Sequence, residues 1–369
     1  MTLASAVTAV TFMALAFLTD GQATAASDLV EEHGYFRVVI GGHQARLEGL
    51  VVKRADVQGR LPIALIVHGQ PIDFVSMAGE HTDAVARQAR DLAARGWLAV
   101  APMHRGFGQS DGPHPGPVTC EQGSLMRRFL GNADELEAVL DLIGQRPDAD
   151  PSRIIAIGVS AGGADVASLA SRNLKGLLGV VSVSGGLRFE SCPSWQDNLV
   201  TAFGTLGATS KVPELWIYAR NDSFFGPDLV ERMRGAALDG GADVKLVMFD
   251  PVGDDGHRLF GSAVGRAEWL RELDTFLRFL KLPTWQLADV DALLVRLKAQ
   301  VKSKTFLESY FADPREKALV YSRNGNSFSD GFGSSTLEAA RAVAVKGCSA
   351  KWTDCAVVME DDGFVGEAQ

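Results

Sequence analysis

The sequence predicts an α/β fold: a mostly parallel sheet of about eight strands flanked by helices, followed by a small C-terminal α+β module. Three observations carry this. From Tyr35 to Leu282, short apolar runs rich in branched residues alternate with stretches whose apolar residues recur at spacings of three and four. Glycines sit just past several of the helical stretches, where a left-handed terminating residue is wanted. After Pro283 the alternation changes character.

The strand pattern opens with Phe36–Ile40 and Leu47–Lys53, which have no helix between them and so predict an antiparallel hairpin. Ile63–Val67, Leu98–Ala101, Ile154–Gly158, Gly179–Val183, Leu215–Tyr218 and Val244–Phe249 follow, each short, largely apolar and rich in branched residues, as a strand covered on both faces must be. Between them Asp83–Arg95, Leu125–Ile143, Ala164–Arg172, Pro227–Leu238 and Ala267–Leu280 have the periodicity of helices laid on a sheet. The tail predicts a helix over Val290–Val301, a strand at Ala318–Ser322, a turn at Asn324-Gly325, a helix over Thr336–Val345 and a strand at Cys355–Glu360. The expected divisions are a leader over 1–26, a catalytic unit over 27–282, and a linker with the small module over 283–369.

Composition narrows the function classes. With 46% hydrophobic and 22% charged residues the chain has ample core material, so disorder is not indicated. A net charge of -9 argues against a nucleic-acid surface, which needs clustered Lys and Arg to neutralise phosphates. Residues 1–19 carry no charged side chain, and Ala6–Leu18 is an apolar run of signal-peptide length ahead of the small residues Ala23-Thr24-Ala25-Ala26. These features predict export to the periplasm or medium, with no stable membrane span once the leader is removed. Four cysteines fit disulfides in an oxidising compartment. Cys348 and Cys355 would close a short loop in the tail, and Cys120 is a candidate partner for Cys192.

The chemistry-bearing motif is Gly158-Val159-Ser160-Ala161-Gly162, set between a strand and a helix. With 39 glycines the bare pattern arises by chance in about one such sequence in four, so the strand before it and the helix after it carry the reading. A serine hydroxyl is a weak nucleophile and needs an imidazole base oriented by a carboxylate. Asp222 and His257 follow the strands Leu215–Tyr218 and Val244–Phe249, at the sheet end where open α/β sheets bind ligands. Asp228, Asp250, Asp254 and Asp255 are the rival carboxylates. Oxyanion donors are expected at the backbone N–H groups of Gln70, in His68-Gly69-Gln70-Pro71, and of Ala161. His68, Arg105, Trp195 and Phe224 are candidate pocket residues, and His104 and His114 fall in a loop that would border the pocket. The stretch between Val183 and Leu215 reads equally as a small cap or as a helix packed on the sheet.

Together His68-Gly69, Arg105-Gly106-Phe107-Gly108-Gln109-Ser110-Asp111-Gly112, the Ser160 motif, Asn221-Asp222 and Asp255-Gly256-His257 resemble the dienelactone-hydrolase-like branch of the α/β-hydrolase superfamily, over about Tyr35–Leu282. The resemblance implies hydrolysis of a small-molecule ester through an acyl-enzyme, with neither metal nor organic cofactor. Dienelactone hydrolases carry a cysteine where this chain has Ser160, which implies ordinary ester chemistry. A serine peptidase or a thioesterase uses the same triad, and a non-catalytic binding protein on this scaffold is the alternative from another class. The tail resembles small exported modules in which an Ala-rich helix ends near one cysteine and a strand begins at another, which implies no activity.

Overall fold

The computed structural model describes residues 29–365 apart from 56, 72–75, 114–117, 122, 285–286, 314–315 and 362. The expected leader over 1–26 and His114 lie outside the described residues.

Eight strands form the main sheet: β1 (Leu29–Ile40), β2 (His43–Arg54), β3 (Leu61–Val67), β4 (Leu98–Pro102), β5 (Ala149–Val159), β6 (Leu177–Val183), β7 (Glu214–Ala219) and β8 (Val244–Phe249). Their order is β1-β2-β4-β3-β5-β6-β7-β8. β1 and β2 make the expected hairpin, turning through Gly41 and Gly42 at φ of 57° and 82°, a conformation that glycine adopts without steric cost. β2 also meets β4 antiparallel, and every later pairing is parallel. Helices α1 (Asp83–Ala94), α2 (Ser124–Gly144), α3 (Ala161–Ala170), α4 (Trp195–Gly207), α5 (Pro227–Gly240) and α6 (Ala263–Phe279) cover the sheet. α1 and α6 pack on one face, around Leu92, Trp97, Trp269 and Leu273. α2 to α5 pack on the other. Every residue of β3, β4 and β7 is buried, which is why, apart from Glu214, their sequences are apolar without alternation.

The stretch after β6 packs a helix on the sheet. It forms α4, a crossover helix whose Phe203 meets Trp216 of β7 edge-on at 4.9 Å between ring centroids. The chain order reverses at β3, whose crossover runs one way to β4 while β5 lies on its other side. Val67 pairs with Gly158, so the loops that leave β3 and β5 emerge side by side in the crevice where such sheets bind ligands.

In the tail, α7 (Leu287–Leu297) and α8 (Lys304–Ala312) precede β9 (Ala318–Ser322), β10 (Ser327–Gly331), α9 (Leu337–Ser349), β11 (Cys355–Glu360) and β12 (Gly363–Phe364). The four strands form an antiparallel sheet in the order β10-β9-β11-β12. Alternation along β9 supplies both of its faces: Ala318 and Val320 meet Ala340 and Ala344 of α9, while Leu319 and Tyr321 meet Leu293, Leu307 and Tyr310 of α7 and α8. Disulfides join Cys120 to Cys192 and Cys348 to Cys355. Among the described residues no helix is long and apolar enough to cross a membrane.

Candidate active site

β5 ends at Val159, and Ser160 turns the chain into α3 with φ 55° and ψ -121°, a backbone conformation that costs a non-glycine residue strain. Close packing holds it there. A methyl on Gly158 would stand 2.0 Å from the Gly162 carbonyl oxygen, and one on Gly162 would stand 2.4 Å from that of His68. A methyl on Gly163 would lie 2.6 Å from Gly185 Cα. The Ser160 N–H donates to Val183 O at 3.0 Å, and Ser160 O accepts from Gly163 N and Gly186 N at 2.9 Å, so the turn is braced from both sides. Ala161 opens α3, where a backbone N–H has no intrahelical acceptor and the helix dipole favours negative charge.

His257 lies on a short 3-10 turn after β8, with Nε2 3.1 Å from Ser160 Oγ. Its Nδ1 is 3.1 Å and 3.2 Å from the two carboxylate oxygens of Asp222, which follows β7. A carboxylate only accepts, so Nδ1 carries the proton and Nε2 is left to accept from the serine hydroxyl. Asp222 is itself fixed, because Oδ1 also accepts from the N–H groups of Phe224 and Phe225 at 2.9 Å and 3.0 Å. Of its rivals, Asp255 acts as a loop clasp, accepting from His257 N at 2.9 Å and Ser223 Oγ at 2.8 Å. Asp250 is solvent-exposed, 3.6 Å from Arg220. Asp228 lies in the first turn of α5.

The expected pocket residues divide. Phe224 stacks on His257 with ring centroids 4.1 Å apart and planes 17° from parallel, and the Arg188 guanidinium lies 5.1 Å from the other ring centre. Trp195 begins α4, half-buried, its ring 6.5 Å from Phe225, which in turn lies 5.6 Å from His257. His68 and Arg105 are each held by partners of their own. His68 is buried, and its Nε2 accepts from the His104 N–H at 3.1 Å. Its protonated Nδ1 donates to Gly69 O at 2.7 Å, so both ring nitrogens are engaged behind the loop. Burial and the neighbouring His104 charge push the His68 pKa down to about 3, which keeps this tautomer neutral. Arg105 is committed to Glu135 through its Nε at 2.6 Å and its backbone N–H at 3.1 Å.

His104, expected at the pocket rim, is buried as well. Its Nδ1 is 3.0 Å from Glu135 of α2, and its Nε2 is 3.4 Å from Asp165 of α3. Burial disfavours a charge there, yet the hydrogen bonds and charges of Asp165 and Glu135 outweigh it and raise the His104 pKa to about 9. Burial would likewise raise Glu135, but His104 and Arg105 hold it down at about 2. Asp165 also accepts from Asn132 at 3.0 Å. Arg128 of α2 donates from Nη2 to the side-chain oxygen of Gln70 at 2.6 Å. Glu135, Asp165 and Arg128 are absent from the sequence reading. The available signal was a charge placed inside the apolar stripe of a helix, as at Asp165 in Ala164-Asp165-Val166.

Residues 66–229 match the family model described as serine aminopeptidase, S33. No match was found among curated proteins. Among solved structures, a Klebsiella pneumoniae protein described as a dienelactone hydrolase is similar at 18% identity, with 69% of this chain and 98% of that one covered and a TM-score of 0.48. An esterase of Pyrococcus furiosus is similar at 16% identity, with coverages of 67% and 90% and a TM-score of 0.47. The acylaminoacyl peptidase of Pyrococcus horikoshii is similar at 17% identity, with coverages of 69% and 43% and a TM-score of 0.47. The strand order, the strand-Ser160-helix turn and the match over residues 66–229 give the chain an α/β-hydrolase fold.

Proposed function

We propose that this protein is an exported serine hydrolase that cleaves carboxylic esters through an acyl-enzyme on Ser160. The observation that carries the reading is the continuous relay from Ser160 Oγ to His257 Nε2 at 3.1 Å and from His257 Nδ1 to Asp222 at 3.1 Å. As Oγ attacks the ester carbon, His257 Nε2 takes the hydroxyl proton and the carbonyl π-electrons move onto oxygen. The N–H groups of Gln70 and Ala161 donate to that oxyanion. Its collapse breaks the carbon–oxygen bond to the alcohol, which leaves with the proton from His257. Water then attacks the acyl carbon, again giving its proton to His257, and frees the acid and Ser160.

The apolar leader and the two disulfides support a periplasmic or secreted location. We assign catalysis to residues 27–282 and treat 283–369 as an appended module. A peptide substrate is the second reading, favoured by the match to serine aminopeptidase, S33 over residues 66–229. The test is labelling of the purified protein by a fluorophosphonate probe. Wild type is expected to label and Ser160→Ala is not; a folded wild type that fails to label overturns the catalytic reading. Matched esters, thioesters and amino-acyl amides then separate the substrates, with esters expected to give the highest kcat/KM.

A further inference from the structure

The Gln70 N–H belongs to the peptide unit whose carbonyl is Gly69 O, and a planar trans peptide points its C=O and N–H in opposite directions. Whatever aims the Gly69 carbonyl therefore aims the Gln70 N–H. His68 holds that carbonyl at 2.7 Å from within the core. The second handle on the loop is the Gln70 side chain, whose oxygen receives the Arg128 guanidinium at 2.6 Å. Arg128 sits in the second turn of α2, a 21-residue helix that begins four residues after the disulfide-bonded Cys120. The post therefore stands on a long helix, and the residue it holds is half-buried.

We propose that Arg128 is a positioning residue for the oxyanion site: by gripping the Gln70 side chain it sets the direction of the Gln70 N–H toward the reacting carbonyl. The proposal rests on the serine-hydrolase reading above. Arginine suits the task because its charge persists when partly buried and its fork of donors is planar and stiff. Burial pushes the Arg128 pKa down, and the charges of Asp165 and Glu135 oppose that shift. An arm acting through Gln70 leaves substrate binding almost unchanged and weakens only the transition state, because the donor is displaced by a fraction of an ångström to an ångström, a shift on the order of 100-fold in rate at its upper end.

The test is a double-mutant cycle of Arg128→Met and Gln70→Ala, read by kcat, by KM and by the affinity of an alkyl boronic acid that forms the tetrahedral adduct on Ser160. Arg128→Met is expected to lower kcat by about 10- to 100-fold with KM changed less than about threefold, and boronate affinity is expected to fall in parallel. Placed on Gln70→Ala, the same substitution is expected to cost less than about threefold, because its route of action is already gone. Arg128→Lys, which keeps a cationic donor, is expected to restore part of kcat. An unchanged kcat in Arg128→Met, or full additivity with Gln70→Ala, overturns the proposal while an active wild type leaves the hydrolase reading standing. Loss of kcat only in proportion to a lost folded fraction, measured by thermal unfolding of each variant, also overturns it. A wild type inert toward both ester and boronate overturns both.

Discussion

The buried imidazole of His104 makes the stability of this protein depend on pH in a window that can be assigned to one residue. Its pKa of about 9 in the folded chain stands against about 6.5 unfolded, a gap worth about 3 kcal/mol. Because the folded value is the higher, that stability is fully present below pH 6.5 and is lost as pH rises through 9. Other buried groups titrate elsewhere. Glu214 and Asp313, each raised to about 7 by burial, give stability that is present below about pH 4 and gone above about 7. His68, lowered to about 3, gains stability with rising pH up to about 6.5 and is flat beyond. Glu135, held near 2, contributes no slope above its unfolded value. Between pH 7 and 9 His104 therefore dominates these groups. Urea unfolding at intervals from pH 7.5 to 9.5 is expected to show the wild-type unfolding free energy falling by about 2 kcal/mol, while His104→Gln starts lower and changes far less. A flat wild-type profile over that range, or the same slope in His104→Gln, would refute the assignment.

Asp222→Asn, which keeps the shape but donates where the acid accepts, is expected to strand His257 in the wrong tautomer and cut kcat by about 10⁴ in an ester assay with little change in KM. Replacing Cys120 and Cys192 by serine opens a loop with a sequence separation of 72 and is expected to cost about 4 kcal/mol of unfolding free energy. Replacing Cys348 and Cys355, separated by 7, is expected to cost about 2 to 3 kcal/mol, and reversal of that ranking in denaturant titrations would count against loop entropy as the cause.

Ser160 was legible because its signal is local, with strand, turn and helix all within about a dozen residues. His257 and Asp222 were reached by loop order, since each follows a later strand of an already evident sheet. The network behind them was not legible. Glu135 and Asp165 meet His104 across 31 and 61 positions of sequence, and along a single helix each reads as a solvated charge. Helix α4 was obscured by its own packing. Gly204 and Gly207 lower its helix propensity, and they are glycines because α5 crosses against them; a methyl on Gly207 would lie 2.4 Å from the Ala237 carbonyl oxygen. β1 and β5 begin earlier than their apolar cores because Leu29 and Ala149 extend them by pairing with Arg54 and Leu61, partners that no local window contains.

The close approach of α3 to the sheet has a consequence for how such a site can change over time. Gly158, Gly162, Gly163 and Gly185 leave no volume for even one carbon, so the ground beneath Ser160 is closed to variation. The aromatic rim at Trp195 and Phe224 is only half-buried. Exchanges at that rim would leave the Ser160 turn untouched, whereas any side chain added at those glycines would displace it.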